Sequence, residues 1–167
     1  MSQKDIVVKG LVVKSQTIFS LDELYKMLYR WFEEHRYDFQ EREYKEEDKG
    51  NNKKDLYLQW HAERKIDDYM KFVIEINFFI RGVQGIEVER GGVKVDTNKG
   101  EVEMKTTAYI FKDYDNKWEK SPVMRFLREI YDKKIIHGRI EGYETELHEE
   151  VNIILDEVKA FLNLHRF

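Results

Sequence analysis

Cysteine is absent from this 167-residue chain, and proline occurs only once. Without thiols the protein can form no disulfide framework, no thiolate metal site and no cysteine nucleophile. Glutamine is also sparse, whereas lysine, glutamate, isoleucine and tyrosine are used heavily. Intracellular proteins of hyperthermophiles show this enrichment in charged residues and depletion of thermolabile ones. The composition therefore predicts a thermophile's protein.

Long hydrophobic runs are lacking as well. The longest, FVIEINFFI, is interrupted by Glu75 and Asn77. It is much shorter than the roughly 20 residues that a membrane-spanning helix needs. The first residues, MSQKDIVVKGLVVKSQ, have neither the apolar core nor the small-residue cleavage site of a signal peptide. We therefore expect a soluble, cytoplasmic protein without a membrane span.

The chain also lacks an excess of basic charge. Its formal net charge is −4, and acidic and basic residues are interleaved. Proteins that bind nucleic acids usually carry a basic stripe that neutralises phosphates. Here Lys53-Lys54 and Lys133-Lys134 are isolated pairs. Nucleic acid is therefore an unlikely partner, although a local basic patch formed by folding stays open.

The length of the chain predicts one domain over residues 1–167, since a chain of this length can bury a hydrophobic core without disulfide bonds or metal ions. A weakly alternating segment predicts a strand over 5–14. Ser20 and Glu23 then form a capping box, and apolar residues at spacings of three and four follow them. We expect a helix over 20–46 that frays into a charged tail beyond Gln40.

The hydrophobic period changes to two between residues 55 and 112. Residues 71–82, KFVIEINFFIRG, alternate between an apolar face and a mixed one. Because short turns join antiparallel neighbours, we predict an antiparallel meander of about five strands with 71–82 at its centre. Turn signals stand at Asp67-Asp68, Gly82 to Gly85, Gly91-Gly92 and Asn98 to Gly100.

Two helices are predicted after the strands. Ser121 can cap a helix over 122–134 that begins with Pro122. Gly138 and Gly142 interrupt the chain before a final helix over 143–164, whose apolar stripe is wide enough to pack on a sheet. The order of elements predicts an α+β fold, with helices on one face of an antiparallel sheet of about five or six strands.

This order of elements resembles the helix-grip fold of START-like domains, the SRPBCC superfamily, in which a curved sheet wraps around a long C-terminal helix. The resemblance covers most of the chain and carries over no functional residue. The single N-terminal helix and the additional helix at 122–133 depart from that fold.

The resemblance implies a non-catalytic carrier that holds an apolar small molecule between the sheet and the last helix. Small side chains on an otherwise bulky apolar face could open a cavity there, and they could equally let the helix approach closely in a dry core. No cofactor and no metal ligand is predicted. The expected ligand-binding residues are Trp60, Ala62, Phe78, Thr106, Ala108, Ile154 and Val158.

Two other functions remain open. The first is a protein–protein or homo-oligomeric interaction module without a ligand, acting through the first helix, its charged tail or an unpaired sheet edge.

The second is an enzyme. His61 and Glu63 share one face of a predicted strand, and Glu75 lies on the corresponding face of the next, so an imidazole and a carboxylate could meet. Ordinary charge pairs on an outer sheet face explain the same residues. Similarly, His148 beside Glu144 and Glu149 has metal-ligand spacing, but a solvated acidic helix face accounts for it.

Overall fold

Five antiparallel strands and three α-helices make up the part of the chain that the computed structural model describes, residues 3–116, 120–135 and 137–164. The strands are β1 (Gln3–Phe19), β2 (Asp38–Gly50), β3 (Lys53–Lys65), β4 (Met70–Arg90) and β5 (Val93–Lys112). The helices are α1 (Leu21–Glu34), α2 (Pro122–Ile130) and α3 (His137–Leu164), with a π-helical turn, Tyr131–Ile135, between the last two. The predicted α+β class is confirmed.

The strands form one sheet in the order β1-β5-β4-β3-β2, so β4 lies at its centre as predicted. Alternation along β4 sends one set of side chains into the core, where each is at most 1% exposed. Buried residues of α1 and α3 belong to the same core cluster. The sheet therefore has an inner face covered by helices and an opposite, outer face. The inner residues of β4 are Phe72, Ile74, Ile76, Phe78 and Ile80.

Helix α1 is shorter than predicted. The Ser20 side chain accepts a hydrogen bond from the Glu23 amide, as expected of a capping residue, but the helix ends at Glu34 and Arg36 adopts a φ of 62°. Residues 38–50, expected to be the end of the helix and a loop, form strand β2. It pairs with β3 through a two-residue turn at Asn51 and Asn52, whose φ values of 56° and 61° suit a tight hairpin.

Residues 53–112 form three long strands instead of about five short ones. The segment Gly82 to Gly85 is not a turn, because β4 continues through it with a bulge between Arg81 and Gln84. Asn98 to Gly100 likewise lies within β5. A Cβ at Gly100 would come 3.1 Å from the Val83 Cα, so the bulge closes against this glycine.

The hairpin between β4 and β5 turns at Gly91-Gly92 and extends beyond its neighbours. β1 ends opposite Asn98, and β3 pairs only as far as Val83. Residues 86–97 therefore form a two-stranded ribbon, called here the β4–β5 ribbon. Val93 and Val95 on this ribbon are 63% and 41% exposed.

Of the two C-terminal helices, α2 begins where the sequence predicts and α3 begins earlier. Ser121 caps α2 by accepting from the Met124 amide at 3.2 Å, as expected. α3 begins at His137 instead of residue 143, and Gly138 and Gly142 lie within it. Each glycine costs a helix only about 1 kcal/mol, which the long packed helix tolerates. None of the described helices combines the length and apolar character needed to cross a membrane.

Candidate functional site

The seven predicted ligand-binding residues lie together on the inner side of the molecule. Each is at most 2% exposed. In the sheet, Ala62 is opposite Ile74, and Ile74 is opposite Ala108 on its other side, so a row of small side chains flanks the central strand. Thr106 occupies the next row, opposite Ile76. Ile154 and Val158 come from α3 and are fully buried in the same cluster.

Thr106 is the polar member of this group. Its side chain is 0% exposed, and Oγ1 finds no hydrogen-bond partner among the described residues. A buried hydroxyl without a partner costs about 1–3 kcal/mol. Five surface clefts in the described part of the chain are lined by residues other than the predicted seven. Ligand binding by these seven residues stays a prediction.

The outer face of the sheet brings together the polar residues that suggested an enzyme. His61 lies directly opposite Glu75 in the β3–β4 register. Its Nε2 is 3.2 Å from Oε2 of Glu63, and its Nδ1 is 3.5 Å from Oε1 of Glu75 without a hydrogen bond. Two further residues, not expected from the sequence, complete the cluster. Tyr109 donates to Glu75 at 3.1 Å, and Lys71 donates to Glu63 at 3.0 Å.

The charges in this cluster compensate one another. Burial opposes ionisation of Glu63, but hydrogen bonds from Lys71 and His61 outweigh it and hold the pKa of Glu63 below its usual value. Burial, followed by the negative charge of Glu75, raises the pKa of the Tyr109 hydroxyl. The arrangement stabilises the Glu63 carboxylate and keeps the Tyr109 phenol neutral.

Catalysis needs a cavity that holds a substrate beside these groups. His61 is only 6% exposed, and none of the five clefts is lined by it or by Glu75. His148 is separate from this cluster and faces Asn152 on α3 at 3.1 Å. Among the described residues, no group of three histidine, aspartate or glutamate side chains could hold a metal ion.

The two edges of the sheet differ sharply. β2 carries nine charged residues among 13, and charged edges discourage pairing with another strand. β1 carries only four among 17 and, within the described residues, pairs with β5 alone. Its apolar residues Ile6, Leu11 and Val12 are 56%, 41% and 53% exposed. Apolar residues on both faces of IVVKGLVV were the signal in the sequence.

The second half of β1 offers a regular edge. Bulges interrupt its pairing between Ile6 and Leu11, and the register then runs unbroken from Leu11 to Phe19. A cleft of about 550 Å³ lies beside this stretch, between residues 12–16 of β1 and the end of α3. Thr17 anchors the far side of the cleft by donating to the Leu162 carbonyl at 3.1 Å. We call residues 11–16 with this cleft the β1 edge.

Comparison with models of protein families finds no match to this chain. Comparison with curated protein sequences finds no match either. A function must therefore be inferred from the geometry of the chain itself.

Proposed function

We propose that this protein is a non-catalytic interaction module that forms a homodimer by pairing two β1 edges. The observation that carries the proposal is the contrast between the two edges of one sheet. One is long, poor in charge and bordered by a cleft, and the other is protected by charge. Strand addition at a free edge satisfies backbone amides and carbonyls that otherwise face only water.

A second copy suits this edge because the sequence there is compatible with itself. In an antiparallel pair centred on Val13, Leu11 would face Ser15 and Val12 would face Lys14 of the other copy. No like charges would then stand opposite each other, which is the arrangement that destabilises strand pairs. The exposed Leu11 and Val12 side chains would lose contact with water, and burial of such apolar surface contributes about 25 cal/mol per Å².

Light scattering coupled to size-exclusion chromatography tests the proposal. The wild-type protein should elute with the mass of a dimer at micromolar concentration. Val12→Lys should yield a monomer, because it places a second lysine against Lys14 of the other copy. The matched control is Val95→Lys on the β4–β5 ribbon, also an exposed valine in a strand, and this variant should remain dimeric.

Hydrogen exchange adds a local readout. Amides of residues 12–16 that point away from β5 should exchange slowly in the wild type and quickly in Val12→Lys. A monomeric wild type would refute the dimer, and so would a Val12→Lys variant that stays dimeric with unchanged exchange at β1.

A carrier function is the second candidate, and the unpartnered hydroxyl of Thr106, in the row next to that of Ala62 and Ala108, favours it. A ligand with one hydrogen-bonding group and an apolar body would suit that position. Native mass spectrometry of protein purified under mild conditions tests this idea. A co-purified small molecule that is lost in Ala108→Leu would support it, and a mass equal to that of the polypeptide alone would contradict it.

A further inference from the structure

Helix α2 presents its apolar side to solvent. Val123, Phe126 and Leu127 are 67%, 61% and 43% exposed. Together with the half-buried Ile130 they fall within an arc of about 100° on the helix, since each residue advances by about 100°. In most surface helices such a stripe faces the core.

The opposite side of α2 is the one that contacts the rest of the molecule. Arg128 is 8% exposed, and its Nη1 lies 3.6 Å from Oδ2 of the buried Asp113, just beyond the end of β5. Tyr131, the residue directly after α2, packs edge-on against Tyr69 with ring centroids 5.4 Å apart. These contacts fix the orientation of α2, so its apolar stripe points away from the molecule.

The surroundings of this stripe are basic in an otherwise acidic protein. Residues 120–135 contain five basic and two acidic residues, whereas the whole chain has a formal net charge of −4. Four of the basic side chains are exposed, as is the acidic Glu129: Lys120 precedes the helix, Lys133 and Lys134 follow it, and Arg125 lies on the side of α2 away from the apolar stripe. A short amphipathic helix with an apolar face and bases at its two ends matches the chemistry of an anionic lipid surface, which attracts the bases and accepts the apolar side chains.

We propose that α2 and the π-helical turn after it form a docking site for an anionic membrane surface. Phe126 and Leu127 would enter the interface between headgroups and acyl chains, while Lys133 and Lys134 would contact the headgroups. The helix is only about 13 Å long, so binding is reversible and depends on both contributions. The proposal is independent of the β1 edge, which involves other residues.

Co-sedimentation with vesicles tests this proposal. Wild-type protein should bind vesicles of mixed phosphatidylserine and phosphatidylcholine at physiological salt, and it should bind phosphatidylcholine vesicles far more weakly. The double substitution Phe126→Ser with Leu127→Ser should weaken binding at least about tenfold. Lys133→Ala with Lys134→Ala should weaken it by about 25-fold, since each base near an anionic leaflet contributes about fivefold.

A closely matched control lies on the β4–β5 ribbon. Val93 and Val95 are 63% and 41% exposed, nearly the same as Phe126 and Leu127, but their ribbon carries no comparable excess of bases. Val93→Ser with Val95→Ser should leave vesicle binding unchanged. Circular dichroism of every variant shows whether the fold is retained, as expected for exposed positions.

Three outcomes would overturn the proposal. The first is that wild-type protein fails to sediment with phosphatidylserine vesicles. In the second, the valine control loses as much binding as the Phe126 and Leu127 variant. In the third, the Phe126 and Leu127 variant converts an oligomer to a monomer and still binds vesicles like the wild type, which would assign α2 to a protein interface.

Discussion

Replacing Glu150 by alanine should weaken the contact between the middle of α3 and the sheet. Glu150 accepts a hydrogen bond from Nη2 of Arg64 at 2.9 Å and another from the Tyr37 hydroxyl. Arg64 reaches back to the His35 carbonyl at 2.9 Å and lies over the rings of Tyr37 and Phe72. One carboxylate on α3 thus connects β3 with the segment that follows α1.

The size of the effect follows from burial. The side chains of Arg64 and Glu150 are only 18% and 14% exposed, so water screens their interaction weakly. A hydrogen bond to a charged group contributes about 1.5–3 kcal/mol, and removing one partner of a buried pair costs about 3–5 kcal/mol. Because Arg64 keeps its bond to His35, we expect Glu150→Ala to cost about 3 kcal/mol. Glu150→Gln should cost about half as much, since its amide oxygen still accepts from Tyr37.

Denaturant unfolding, followed by circular dichroism, measures these changes. Glu146 provides the control, because it approaches the same Arg64 nitrogen at 3.4 Å with a side chain that is 50% exposed. Glu146→Ala should cost less than about 0.5 kcal/mol. A double-mutant cycle with Arg64→Met should give a coupling energy of about 2 kcal/mol with Glu150. Equal losses for the two glutamates, or a Glu150→Ala loss below about 1 kcal/mol, would refute the reasoning.

Three further measurements probe the sheet. Because the pKa of Tyr109 is raised in the folded state, this residue ionises first in the unfolded chain, and the free energy of unfolding falls above about pH 10. In alkaline denaturation curves, Tyr109→Phe should make that fall shallower by about 1.4 kcal/mol per pH unit. An unchanged slope would contradict the assignment. Ala108→Leu should cost about 1–3 kcal/mol in a tightly packed core, and a neutral result in the same unfolding assay would indicate free space there. Thr106→Val should be neutral or stabilising by thermal unfolding, because it removes a buried hydroxyl that has no partner, and a clear loss would show that the hydroxyl is bonded.

Much of the fold is visible in local patterns of the sequence. The strict alternation of β4 predicted both its central place and its buried face, since a central strand covered on one side must alternate. Ser20 and Ser121 marked the starts of two helices because a capping side chain acts on amides within three residues of itself. Alternation also placed His61 and Glu75 on corresponding faces of neighbouring strands, and the register places them directly opposite each other.

The errors arose where tertiary pairing overrides local signals. β2 has nine charged residues among 13, and only Phe39 and Glu43 in it are half-buried, so its sequence shows no apolar–polar alternation that would indicate a strand. Glycines misled in two ways. In β4 and β5 they mark a bulge and a close contact instead of turns, and in α3 they lie inside a helix that packing supports.

For the candidate sites too, local patterns predict the position of residues but not what those residues contact. Residues of the inner face could be assigned from alternation, but their use for a ligand depends on packing that periodicity does not reveal, and it stays a prediction. The resemblance to START-like domains also stays a prediction. The sequence predicted the helix over 122–134 but not the exposure of its apolar stripe, because the pattern does not say which side of a helix meets the core.

The unequal edges of the sheet also limit how far self-association can proceed. A sheet with two open edges can add copies without end, which is the route to fibres. Here two copies joined at β1 would form a ten-stranded sheet whose outer strands are both β2. Each end would then present nine charged residues to an approaching strand. Growth would stop at two copies, so this pattern of charge would make the dimer a closed assembly.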